Sequence, residues 1–198
     1  MINNTMSLNI YTIKHPLVLN WTSCLLNTPV KEFEKFELIH KIGLALIYES
    51  TRRSINTVNL YVKKLDYLQD IHLRSSKFLY TVIIEIYLSQ VLSKDILSLI
   101  PNTRLCSISI SSPNYLQEVY TDLQSASKHR DKSIVVIVES LNQHQIIPII
   151  EMVKKVQGSL DNLQICCLTC SSEALQDLGA KYTYLNIYTT KIIDGRRI

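Results

Sequence analysis

Apolar residues recur along this chain with two different periods. From Val30 to about Arg52, the residues Phe33, Phe36, Ile39, Ile42, Leu46 and Ile47 fall on one helical stripe. Thr28 as an N-cap and Pro29 in the first turn predict where that helix starts. Upstream, Tyr11 to Leu26 opens with a short extended piece. His15-Pro16 disfavours helix just before the proline, so helical periodicity is expected only from near Trp21. Asn56 to His72 alternates weakly and predicts one or two strands with a turn, whereas Phe78 to Ile86 is apolar, β-branched and fits a buried strand. Gln90 to Leu99 reads as a helix stopped by Pro101, Arg104 to Ile110 as a strand, and the polar, tyrosine-bearing Pro113 to Leu123 as another strand pair. Ile134-Val135-Val136-Ile137-Val138 is the clearest central strand. A helix from about Ile146 to Gln157, a strand at Leu163 to Leu168, a short helix at Ser172 to Leu178 and a strand at Tyr184 to Thr189 complete the chain.

Strand and helix alternating through the second half imply a parallel sheet with helical crossovers, an α/β protein. No repeat, low-complexity tract or linker divides the 198 residues, so residues 1–198 are expected to form one domain. No apolar stretch reaches the length of a membrane span. Met1-Ile2-Asn3-Asn4-Thr5 has neither the basic-then-apolar form of a signal peptide nor the form of a transit peptide. A soluble protein is expected. The net charge is +4 with basic residues scattered among acids, so neither a nucleic-acid footprint nor a membrane partner is expected.

Cysteine and glycine usage narrow the chemistry further. Five cysteines, an odd number, favour a reducing compartment. Cys166, Cys167 and Cys170 sit in an apolar run and read as small buried hydrophobes. Cys167-x-x-Cys170 lacks the second pair or spaced histidines of a zinc site. Gly43, Gly158, Gly179 and Gly195 are the four glycines, no two of them close together. A glycine-rich phosphate loop, whose backbone must reach positive φ, is therefore nearly excluded.

Five segments, in order, carry a resemblance. Lys14-His15-Pro16-Leu17-Val18 is similar to the "DHPLV" opening of bacterial and plastid uracil phosphoribosyltransferases. Ile42 to Arg52 (IGLALIYESTR) is similar to that family's "IGxLLAYEATR". Leu99 to Arg104 resembles "LIPxAR", Cys167 to Glu173 resembles "CLLAAPEG", and Ile187 to Thr190 resembles "IYTAAID". The resemblance implies a type I phosphoribosyltransferase-like fold: a central parallel sheet flanked by helices, with an N-terminal helix and room for a β-arm. It also implies a reaction, transfer of ribose 5-phosphate from phosphoribosyl pyrophosphate (PRPP) to uracil, giving UMP and pyrophosphate.

The residues that the family uses for this reaction are mostly replaced here. Its 5-phosphate loop, "DPMLATGGS", falls on Glu139, Ser140, Leu141, Asn142, Gln143, His144 and Gln145, with both glycines gone and His144 at the threonine position. Its pyrophosphate loop, "LRAGLG", falls on Ile86 to Val91, with Tyr87 in place of the arginine and Ser89 in place of a glycine. A further family arginine falls on Ser112. The family's "GLGDAGDR" uracil loop lies beyond Asp194-Gly195-Arg196-Arg197-Ile198, so the domain is expected to lack that segment. Tyr87, Ser89, Ser112, Glu139, Ser140, Asn142, Gln143, His144 and Gln145 are thus vestigial ligand-loop positions. No residue is assigned a catalytic or metal-ligating role.

Two function classes follow. The first is a non-catalytic homologue without cofactor, acting as a homo-oligomer or with a protein partner. The alternative is a divergent transferase of pyrimidine salvage that uses PRPP with magnesium. His144 with Glu139 as partner is the one pair there that could meet a new ligand, against the plainer reading of a polar loop filling space. Abundant isoleucine, leucine, asparagine and lysine are typical of an AT-rich genome such as an organellar one. The expected location is the plastid stroma or the cytoplasm.

Overall fold

A computed structural model describes residues 8–55, 57–74, 79–100, 102–109, 115–126 and 132–194. Six strands form one wholly parallel sheet: β1 (Asn9–Thr12), β4 (Leu79–Glu85), β5 (Thr103–Ile108), β6 (Lys132–Leu141), β7 (Leu163–Ser171) and β8 (Asn186–Ile193), in the order β1-β8-β7-β6-β4-β5. The helices are α1 (Pro16–Asn27), α2 (Glu32–Thr51), α3 (Ile86–Leu99), α4 (Tyr115–Ala126), α5 (Gln143–Gln157) and α6 (Ser172–Lys181). A separate antiparallel hairpin is made by β2 (Thr57–Lys63) and β3 (Leu68–Arg74).

The near-continuous apolar strands follow from burial on both faces. On β6, Val135 and Ile137 join a core closed by α1, α2 and α3, while Ile134, Val136 and Val138 join a second core closed by α4, α5 and α6. Every one of these five is fully or nearly fully buried. The alternation inverts toward the ends of β6 and β7: Val138 and Leu141 of β6, three residues apart, face one core. Cys167 and Cys170, three residues apart, face the same core, and residue 168 drops out of the pairing register. The Leu168 carbonyl is recovered by the Thr190 hydroxyl, which donates to it at 2.7 Å.

Several sequence expectations need correction. Thr28 caps the end of α1, its N–H and hydroxyl both donating to the Cys24 carbonyl. Helix α2 starts four residues later at Glu32, where the Lys31 N–H donates to the Glu34 carboxylate. Helix α1 begins at Pro16, not near Trp21. Proline disfavours helix only for the residue before it, and at the first helical position its missing N–H costs nothing. The segment read as a strand pair from Pro113 to Leu123 contains α4 from Tyr115 onward. Leu116, Val119 and Leu123 pack on the core at helical spacing, a period that outweighs the strand preference of tyrosine. Both α3 and α5 start earlier than expected, directly after their strands.

The glycine of the IGLALIYESTR segment has a packing role. A Cβ on Gly43 would lie 2.6 Å from Leu92, a fully buried residue of α3. Helices α2 and α3 approach this closely only because that atom is absent. Gly43→Ala is expected to destabilise the protein by a net of up to about 2 kcal/mol, overpacking of about 1–3 kcal/mol offset by about 1 kcal/mol of helix propensity. A lower urea midpoint at unchanged slope would record it.

Candidate functional site

Helix α3 leaves β4 on one face of the sheet, and α5 leaves the adjacent β6 on the other. The crevice between the carboxyl ends of these two strands is where an open parallel sheet ordinarily receives ligands. Here each strand runs into its helix with almost no loop. Glu85 ends β4 and Ile86 begins α3, while only Asn142 separates β6 from α5. The segment matched to the pyrophosphate loop, Ile86 to Val91, is therefore the first turn and a half of a helix.

The start of α5 satisfies three of its own donors. The Asn142 side-chain oxygen accepts from the His144 N–H at 3.0 Å, and the Asn142 carbonyl accepts from the N–H groups of Gln145 (3.2 Å) and Ile146 (3.0 Å). A helix N-terminus attracts anions through such N–H groups, and these are already engaged. Pro148, inside α5, has no N–H to give to the His144 carbonyl.

Across the crevice, the Glu85 carboxylate accepts from the Glu139 N–H at 3.2 Å, tying the ends of β4 and β6 together. The Lys35 ammonium of α2 lies 3.8 Å from the Glu139 carboxylate and 5.7 Å from the centre of the Tyr87 ring. Tyr87 packs against Phe36 with ring centres 5.3 Å apart. Beneath it, Ser89 of α3 and Ser107 of β5 share a hydrogen bond of 2.6 Å. Two carboxylates thus face one ammonium group, a balance that disfavours a polyanion.

The structure places Tyr87, Ser89, Glu139, Ser140, Asn142, Gln143, His144 and Gln145 at this one end of the sheet. Ser112 lies outside the described residues. The His144–Glu139 pairing, weighed in the sequence against a space-filling polar loop, does not form: Glu139 pairs with Lys35, and the exposed His144 imidazole has no hydrogen-bond partner among the described residues. Lys35, Glu85 and Ser107 are members that sequence reasoning missed. An acid closing an otherwise apolar strand was a visible signal for Glu85. Lys35 and Ser107 meet the site only through tertiary packing.

The cysteines stand apart from this crevice. Cys106, Cys166, Cys167 and Cys170 are buried and reduced. Burial pushes the Cys106 and Cys166 thiols up to about 12. Cys167 donates to Cys170, which raises the first and lowers the second to about 7. No group of three potential metal ligands occurs among the described residues.

With this geometry described, the class of the fold is clear: a mixed α/β, phosphoribosyltransferase-like architecture. Its likeness to a solved structure, the AQ2163 protein from Aquifex aeolicus, supports the fold alone: TM-score 0.67 at 12% identity, covering 93% of this chain and 88% of that one. No family model matches the sequence. Two curated proteins named uracil phosphoribosyltransferase homolog, from Porphyra purpurea and Pyropia yezoensis, are each 27% identical over 187 residues, 94% of this chain and 89% of theirs. Over nearly its whole length the chain is thus similar to proteins named as homologues of uracil phosphoribosyltransferase.

Two outcomes test the local geometry. Asn142→Ala is expected to cost about 1 kcal/mol by removing the cap of α5, read by thermal or urea unfolding. With an aromatic disulfide reagent at pH 8, the folded protein is expected to expose Cys24 alone promptly, the other four thiols reacting only after denaturant is added. Despite its lowered thiol, Cys170 is fully buried, and access sets its rate.

Proposed function

We propose that this chain is a non-catalytic uracil phosphoribosyltransferase homologue that acts by association with a second copy of itself. The observation that carries the first half is the self-satisfied crevice. A sugar bearing three phosphate groups needs convergent N–H donors and fixed cations. Asn142 occupies three of the donors at the start of α5, and Glu85 and Glu139 outnumber Lys35. The same features weigh against a magnesium-bound donor, since the Glu85 and Glu139 carboxylates already have partners.

The hairpin supports the second half. In its antiparallel register, Val58, Leu60 and Val62 share one face with Leu73 and Ile71, while Asn59, Tyr61 and Lys63 share the other with His72, Asp70 and Leu68. Val58, Leu60 and Leu73 are each about half exposed (54%, 45% and 46%). A two-stranded hairpin with a bare apolar face is marginal alone. An identical face from a second copy is self-complementary about a two-fold axis. The red-algal source of the relatives supports a plastid location.

Incubation with labelled uracil, PRPP and magnesium is expected to give no UMP, and calorimetry no PRPP binding; either signal would establish the divergent transferase instead. Sedimentation is expected to show a dimer that Leu60→Glu with Leu73→Glu converts to monomer. A wild-type monomer at high concentration, with another protein recovered through the hairpin, would replace self-association with a foreign partner.

A further inference from the structure

A second cavity lies three strands away from the crevice, at the edge of the same sheet. It is a half-open cavity of about 720 Å³, lined by residues from β1, the start of α1, the end of α2 and β8, a size suited to a small-molecule ligand. Its charge balance is the reverse of the crevice. Lys14, Arg52 and Arg53 line it, with Glu49 the one carboxylate among the lining residues.

Each of these groups has a describable state. Arg52 pairs with Glu49 at 3.7 Å, one turn apart on α2. Arg53 donates to the Tyr11 hydroxyl at 3.2 Å and lies over the Tyr11 ring, 5.1 Å from its centre. Tyr11 in turn stacks on the buried Tyr188, ring centres 4.8 Å apart, which gives the cavity a rigid aromatic wall. Lys14 has no ion-pair partner among the described residues. The two arginines are not consumed in capping α2, because the Thr51 carbonyl at its end already accepts from the N–H groups of Ser54 and Ile55.

The start of α1 adds to the same field. Lys14 and His15 line the cavity immediately ahead of Pro16, so the positive end of the α1 dipole borders it. The Leu17 N–H donates to His15 Nδ1 at 3.3 Å, which leaves the Nε2–H of the neutral ring as a donor directed away from the helix. Three cations against one carboxylate would repel one another in an empty pocket; an anion relieves that repulsion.

We infer that this cavity binds a small phosphorylated anion, its phosphate held by Lys14, Arg52 and Arg53 beside the Tyr11–Tyr188 wall. The site is independent of the crevice, so it stands whether or not the chain transfers ribose phosphate. Calorimetric titration of the full chain with inorganic pyrophosphate, and in a parallel arm with AMP, tests it. Saturable one-to-one binding is expected, weakened ten-fold or more by Lys14→Glu with Arg52→Glu. The matched charge reversal Lys154→Glu with Lys155→Glu, on α5, is expected to leave it unchanged. Arg53→Gln alone is expected to weaken it several-fold and serves if the double variant does not fold. Binding of AMP but not pyrophosphate assigns a phosphate ester, and the converse a free polyphosphate. No binding of either at millimolar concentration, or equal weakening by the α5 reversal, would overturn the inference.

Discussion

Everything at the ligand-receiving end of this sheet depends on how the backbone N–H groups at two helix starts are used. Where neighbouring parallel strands send their helices to opposite faces, those groups converge on a common space and an anion can take them. That requires a loop long enough, and glycine-rich enough, to turn the N–H groups outward. In this chain β4 passes into α3 at Glu85–Ile86 without a loop, and β6 passes into α5 through Asn142 alone. Asn142 then accepts from its own helix.

Charge follows the same division. The Glu139 N–H just beyond the β4–β6 ladder is taken by a carboxylate, Glu85, and Glu139 itself draws Lys35 across from α2. Tyr87 fills the space in front with a ring packed on Phe36. At the far edge of the sheet the order is inverted, with Lys14, Arg52 and Arg53 gathered around a tyrosine stack. A single parallel sheet therefore carries two electrostatic environments of opposite sign, one where β4 and β6 end and the other along the β1–β8 edge.

The scaffold beneath both is conventional in its energetics. Two apolar cores sandwich the sheet, and the fully buried Val135, Val136 and Ile137 of β6 are shared between them in alternation. The close approach of α2 to α3 at Gly43 sets the height of α2 above the sheet, and α2 carries Lys35 toward the crevice and Arg52 and Arg53 to the edge cavity. Against this, the β2–β3 hairpin stands apart with an apolar face that nothing in its own chain covers among the described residues.

The sequence by itself determined the parallel α/β class, the central strand at Ile134–Val138, the hairpin and the family likeness. Each of these is written in local periodicity or in contiguous motifs, which depend only on neighbours along the chain. It also showed that glycines were missing from both ligand-loop positions. Boundaries were less legible: Thr28 served the helix before it, and α4 was hidden because tyrosines favour strands in isolation. Tertiary structure alone decided that Glu139 would pair with Lys35 and not with His144, that Glu85 would close the crevice, and that Lys14, Arg52 and Arg53 would share one cavity with Tyr11 and Tyr188. Those groups come from segments distant in sequence, and only the stacking of α1 and α2 on the sheet sets the distances over which their charges act.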